Sequence, residues 1–91
     1  MIMVKAFGRF RDPLGLEMKV DLAAGSTVSD LLETLASTSS DLRDQIFDSS
    51  GQVREDVNVM VNGRHFLTLK GPQTHLSEGD EVALFPAVVG G

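Results

Sequence analysis

An α+β fold, one sheet packed on one main helix, follows from three features of this 91-residue sequence. Period-two alternation of apolar residues marks strands near both ends of the chain and in 57–61. A single stretch, Val28 to Leu35, repeats its apolar residues at helical spacing. Asn62-Gly63 then marks a tight hairpin, because both central positions of a type I′ turn need positive φ.

The elements follow in order. Ile2, Val4 and Ala6 alternate with Met3, Lys5 and Phe7, which predicts a first strand. Asp12-Pro13-Leu14-Gly15 reads as a turn, with proline fixing φ and glycine free to adopt positive values. Leu16, Met18, Val20 and Leu22 alternate with Glu17, Lys19 and Asp21, a half-buried second strand that closes an N-terminal hairpin. Ala24-Gly25-Ser26 interrupts the pattern, and Thr27 can cap a helix with Asp30 in a capping-box position. Val28, Leu31, Leu32 and Leu35 form its apolar stripe at i, i+3, i+4 and i+7. Ser37 to Ser40 end it, and Leu42, Ile46 and Phe47 suggest a short irregular or helical turn against the core.

Asp48-Ser49-Ser50-Gly51 reads as a loop. Val57, Val59 and Val61 define a third strand, with Arg64 to Leu67 as a short return strand after the turn. Residues 70–80 form a loop, and the last strand runs from Glu81 to Phe85 until Pro86 stops regular pairing. The predicted core is Val4, Ala6, Leu16, Met18, Val20, Val28, Leu31, Leu32, Leu35, Val57, Val59, Val61, Val82 and Leu84. The order ββαββ plus a short strand is the β-grasp arrangement, a mixed sheet of four to five strands holding one helix. Parallel pairing of the first and last strands follows from that analogy alone.

Composition narrows the function. The length suits one domain, with residues 1–86 as the globular part and 87–91 as a flexible Gly-Gly tail. No apolar run approaches a membrane span, and the N-terminus lacks the pattern of a signal peptide, so a cytoplasmic location is expected. The net charge of −5 disfavours phosphate backbones and nucleic acid as a partner. It suits either plain solubility or a partner with a basic docking surface. Absence of cysteine removes disulfides, thiolate metal sites and a cysteine nucleophile. His65 and His75 lack the spacing and companions of metal ligands and read as surface histidines. Gly8 and Gly15 lack the strand–loop–helix context of a phosphate loop. Arg9, Arg11, Arg43, Arg54 and Arg64 are dispersed and read as solvated surface. No Ser/His/Asp set can be placed, so no catalytic residues and no bound cofactor or metal are expected.

What remains is the end of the chain. Gly90-Gly91 follows directly on the last strand and its short extension. Two residues without side chains can lie extended in a slot too narrow for any others. Such a tail can present the carboxylate of Gly91, with Gly90 as spacer, to a partner enzyme able to activate it as an acyl group. Residues 87–91 would span roughly 17 Å when extended. The alternative is a non-catalytic interaction module whose glycines are a frayed, flexible terminus.

The ordered set Gly25-Ser26-Thr27-Val28, Val57-Asn58-Val59-Met60-Val61-Asn62-Gly63, Glu78-Gly79-Asp80-Glu81-Val82 and Phe85-Pro86-Ala87-Val88-Val89-Gly90-Gly91 resembles the ubiquitin-like sulfur carriers. That group includes the small subunit of molybdopterin synthase, the thiamine- and cysteine-pathway sulfur carriers, and the small archaeal modifier proteins. The added lengths at Asp48–Asp56 and Lys70–Ser77 resemble the longer carriers and the archaeal modifiers more. The resemblance implies a carrier rather than an enzyme. An E1-like partner would adenylate Gly91 with ATP. The product would become a thiocarboxylate, serving for example molybdenum cofactor biosynthesis, or an isopeptide bond to a target lysine. The partners implied are that activating enzyme, a large synthase subunit or other sulfur acceptor, and lysine-bearing proteins.

A docking surface can also be placed. Phe7, Met60 and Phe85 each sit opposite their strand's core residues, and in a β-grasp sheet the last strand lies between the other two. The three would then form an exposed apolar cluster beside the tail, as protein interfaces commonly show. The competing expectation is that the Lys70–Ser77 segment covers them.

Overall fold

A computed structural model of the protein describes residues 1–87. Five strands form one sheet, β1 (Ile2–Ala6), β2 (Glu17–Val20), β3 (Val57–Val61), β4 (Arg64–His65) and β5 (Glu81–Pro86), in the order β2-β1-β5-β3-β4. The helices are α1 (Arg11–Leu14), α2 (Val28–Ala36) and α3 (Ser40–Ile46). β1 pairs antiparallel with β2 and parallel with β5, with Val4 opposite Val82 and Ala6 opposite Leu84. β3 lies antiparallel to β5, and the β1–β5 pair therefore forms the centre of a mixed β-grasp sheet.

The strand alternation sorts the side chains between two faces. Ile2, Val4, Ala6, Val57, Val59, Val61, Val82 and Leu84 point into the core, where the stripe Val28, Leu31, Leu32 and Leu35 of α2 meets them. Thr27 and Asp30 close the expected capping box, with Thr27 N–H donating to Asp30 Oδ2 at 2.9 Å and Asp30 N–H donating to Thr27 Oγ1 at 3.2 Å. The segment from Ser40 to Ile46 is a true helix, capped by the Ser39 hydroxyl, and it buries Leu42 and Ile46.

Four local expectations are corrected. Leu16 is 63% exposed and is not a core residue. The link after β1 is not a simple turn but a 3-10 turn, Gly8–Phe10, followed by α1. Phe10 and Leu14 from this link fill the core at that end of the sheet, and β2 begins only at Glu17. Met18 is only half-buried, packing against the edge of the core. The return strand stops at His65, because Leu67 N–H turns back to the His65 ring and the Thr68 hydroxyl donates to the His65 carbonyl at 2.7 Å. Such local bonds compete with a sheet ladder.

Leu32 is fully buried in this packing. Leu32→Ala should therefore cost about 2–5 kcal/mol, and Leu16→Ala should stay within about 0.5 kcal/mol. Urea unfolding of the two variants measures both values.

Candidate functional site

The parallel register of β1 and β5 brings Phe7 beside Phe85. Their rings meet edge to face with centroids 6.4 Å apart. Met60 pairs across the sheet with Ala83, two residues from Phe85, so it lies diagonal to Phe85 on the same face. Phe7 is 39% exposed, while Met60 and Phe85 are half-buried. The Lys70–Ser77 segment is engaged elsewhere. Its Thr74 carbonyl accepts from Val28 N–H at 2.9 Å and its Leu76 N–H donates to Ser26 O at 2.8 Å. These bonds tie it to the start of α2, on the helix side of the sheet, away from the three apolar residues.

Two residues that sequence reading did not connect with this surface adjoin it. The Arg11 guanidinium lies 5.4 Å from the Phe7 ring centroid and its Nε donates to Ala6 O at 3.2 Å. Gly8, at φ +59°, packs so closely on the end of β5 that a Cβ there would come within 2.8 Å of Pro86 Cδ and Cγ. A glycine directly after a strand was the only signal of this approach in the sequence.

A polar cluster forms where the chain leaves the sheet. Ala87 N–H donates to the Asp56 carbonyl at 2.8 Å. The Asp56 carboxylate accepts from Arg54 Nε at 3.0 Å and Nη2 at 2.8 Å, a bidentate pair, and Arg9 Nη2 lies 3.4 Å away. Each arginine is held from a second side: Arg9 donates to Gln45 O at 3.2 Å, and Arg54 donates to Asp44 O at 2.8 Å. Arg54 and Asp56 are sequence neighbours, but Arg9 looked like a dispersed surface charge because only the fold brings it to them. Burial raises the Asp56 carboxyl, but the Arg54 hydrogen bonds and the charges of Arg9 and Arg54 together hold it below its ordinary value.

Neither histidine sits in a metal cluster, and no group of three metal-ligating side chains occurs among the described residues. The Leu67 N–H points at His65 Nδ1, so the proton resides on Nε2, which donates to Asn58 Oδ1 at 2.8 Å. His75 Nδ1 lies 3.1 Å from Gly25 O on the exposed surface. A concavity of about 590 Å³ beside β4 is lined by both apolar residues, among them Phe47, Val57 and Phe66, and polar ones, among them Arg54, Glu55 and Asn58. Among the described residues no helix is long and apolar enough to cross a membrane. Gly90 and Gly91, the expected spacer and reactive terminus, lie outside the described residues, as do Val88 and Val89.

A depressed carboxylate contributes stability above its unfolded pKa and loses that contribution as pH falls through the folded value. The wild type should therefore lose stability below pH 3.8 more steeply than Asp56→Asn, with the two curves converging at the acid end. Thermal melts between neutral and strongly acidic pH follow that difference.

The β-grasp sheet has close counterparts among known proteins. The chain is 36% identical over 91 residues to small archaeal modifier protein 3 of Haloferax volcanii, covering 97% of this chain and 96% of that protein. It is 31% identical over 71 residues to the sulfur carrier protein CysO of Mycobacterium tuberculosis, covering 76% of each. The crystal structure of small archaeal modifier protein 1 from Haloferax volcanii superposes with a TM-score of 0.84 at 30% identity, covering 99% of this chain and 98% of that one. These relatives are carriers and modifiers rather than enzymes. The ThiS family profile matches residues 4–91, and the chain belongs to that family of ubiquitin-like sulfur carriers and modifiers.

Proposed function

We propose that this protein presents the Gly91 carboxylate to an E1-like activating enzyme and is a substrate of that enzyme. The single observation that carries the reading is the placement of the apolar trio. Phe7 and Phe85 touch on the outer sheet face, Met60 lies diagonal to them, and the chain leaves that sheet for its terminus two residues after Phe85. A partner bound there is within reach of the last residues. The family, and relatives named as modifiers and a sulfur carrier, support the same reading.

The chemistry is acyl activation. The Gly91 carboxylate attacks the α-phosphorus of ATP, a C–O–P linkage forms, and pyrophosphate leaves. A sulfide nucleophile supplied by the partner system then attacks the carbonyl carbon. The C–S bond forms, the bond to AMP breaks, and a thiocarboxylate remains. With a lysine amine as nucleophile, a C–N bond forms, AMP leaves and the nitrogen loses its proton. Glycine at the tip leaves the carbonyl open to either attack. ATP is bound by the partner, and this chain supplies docking and orientation. The setting proposed is cytoplasmic.

Two outcomes test this reading. Deletion of Gly91 should abolish ATP–pyrophosphate exchange by the activating enzyme while leaving the thermal midpoint unchanged; normal exchange by the deleted form would contradict it. The double variant Phe85→Ser with Met60→Ser should weaken binding to the activating enzyme by at least about tenfold, the range expected for buried interface anchors. Calorimetric titration gives the affinity, and a separate melt gives stability. Unchanged affinity, or a loss explained wholly by unfolding, would reject the docking surface.

A further inference from the structure

The cluster at the end of β5 is more elaborate than a strand terminus requires. Pro86 already lacks an N–H and ends regular pairing. Yet the next residue is still held, by the Ala87 N–H bond to Asp56 O at 2.8 Å. The carbonyl that holds it belongs to a residue whose side chain is itself fixed, by two hydrogen bonds from Arg54 and by Arg9 at 3.4 Å. The two arginines reach Asp56 from different parts of the fold. Arg9 comes from the 3-10 turn after β1 and is anchored on Gln45 O in α3. Arg54 comes from the segment leading into β3 and is anchored on Asp44 O, also in α3. From the other side, Gly8 lies against Pro86 with no room for a Cβ. The last described residues are thus gripped between the β1–α1 link and residues 54–56.

We propose that Asp56 is a positioning residue for the carboxyl terminus, holding Ala87 through its carbonyl while Arg9 and Arg54 hold its side chain, so that the acyl group is delivered from a fixed root. The inference rests on the carrier reading above. With Ala87 fixed, only residues 88–91 carry the chain from the root to the reactive carbon, and their extended reach is roughly 13 Å. A domain docked on the Phe7–Phe85 surface then has one tail length that places the carboxylate correctly. Loss of the root lets the same tail start from many places, and productive positions become rarer. The role is orientation, so it acts on the rate of the bound complex more than on docking.

The test uses the full chain. Amide hydrogen exchange at Ala87 should be slow in the wild type and about tenfold faster in Asp56→Ala, as expected for loss of one local closure. With the activating enzyme, Asp56→Ala should lower kcat for adenylation by about 10- to 100-fold while leaving KM for the carrier nearly unchanged. Insertion of one glycine between Val89 and Gly90 should lower kcat strongly in the wild type and only weakly in Asp56→Ala. That non-additivity is the signature of a shared positioning function, and a purely structural role does not produce it. If Asp56→Ala does not fold, Asp56→Asn carries the same comparison, because its amide oxygen keeps one bond from Arg54. Additive effects of insertion and substitution, a rise in KM in place of a fall in kcat, or unchanged Ala87 exchange would overturn the proposal. A wild type that is never adenylated defeats the carrier reading instead, and the exchange measurement still decides whether Asp56 holds Ala87.

Discussion

The parallel register of β1 on β5 sets nearly everything else in this molecule. Val4 faces Val82 and Ala6 faces Leu84, so the first and last strands lie side by side at the centre of the sheet. Two parallel strands need a long crossover, and the chain between them supplies α2, which covers one face. The same register places Phe7 against Phe85 on the other face. It also makes the chain end leave from the middle of the sheet, beside the link that follows β1. The Phe7–Phe85 contact on the outer face, the Gly8–Pro86 contact and the Arg9–Asp56 pair all depend on those two strands being neighbours.

The two faces of the sheet do different work. The inner face meets the α2 stripe, where Leu31, Leu32 and Val59 are fully buried. That packing supplies rigidity. The outer face carries mixed polar and apolar groups, including the Lys5–Glu81 ion pair at 3.1 Å and the His65–Asn58 hydrogen bond. Its apolar part is concentrated at the end where β5 finishes. A rigid plate with one greasy corner and a chain end beside it is well suited to being held by another protein while its terminus is processed. In the function proposed above, the inner face keeps the domain rigid while the outer corner and the chain end are left to a partner, which would supply the catalytic groups.

The sequence disclosed those parts of the fold that rest on local patterns. The alternation in 2–6, 57–61 and 81–85, the α2 stripe and the Thr27–Asp30 cap all have short-range causes and appear in the structure. Leu16 misled because it continues the period-two pattern of Met18 and Val20, whereas Phe10 and Leu14 occupy the core at that end. Phe66 and Leu67 misled because β-prone residues there are diverted by bonds to His65. The apolar trio was visible once period two was combined with the strand order. The Arg9–Asp56–Arg54 cluster was not, since no local pattern joins residue 9 to residue 56, and an arginine pair held by backbone carbonyls of α3 looks in sequence like ordinary surface charge.

Intact-mass spectrometry of the full chain, after incubation with an E1-like activating enzyme, ATP and a sulfur source, tests whether Gly91 is the reactive terminus. A carrier should gain the mass of exchanging one oxygen for sulfur, mapped by fragmentation to Gly91. An unchanged mass alongside an enzyme that converts another carrier under the same conditions would contradict it.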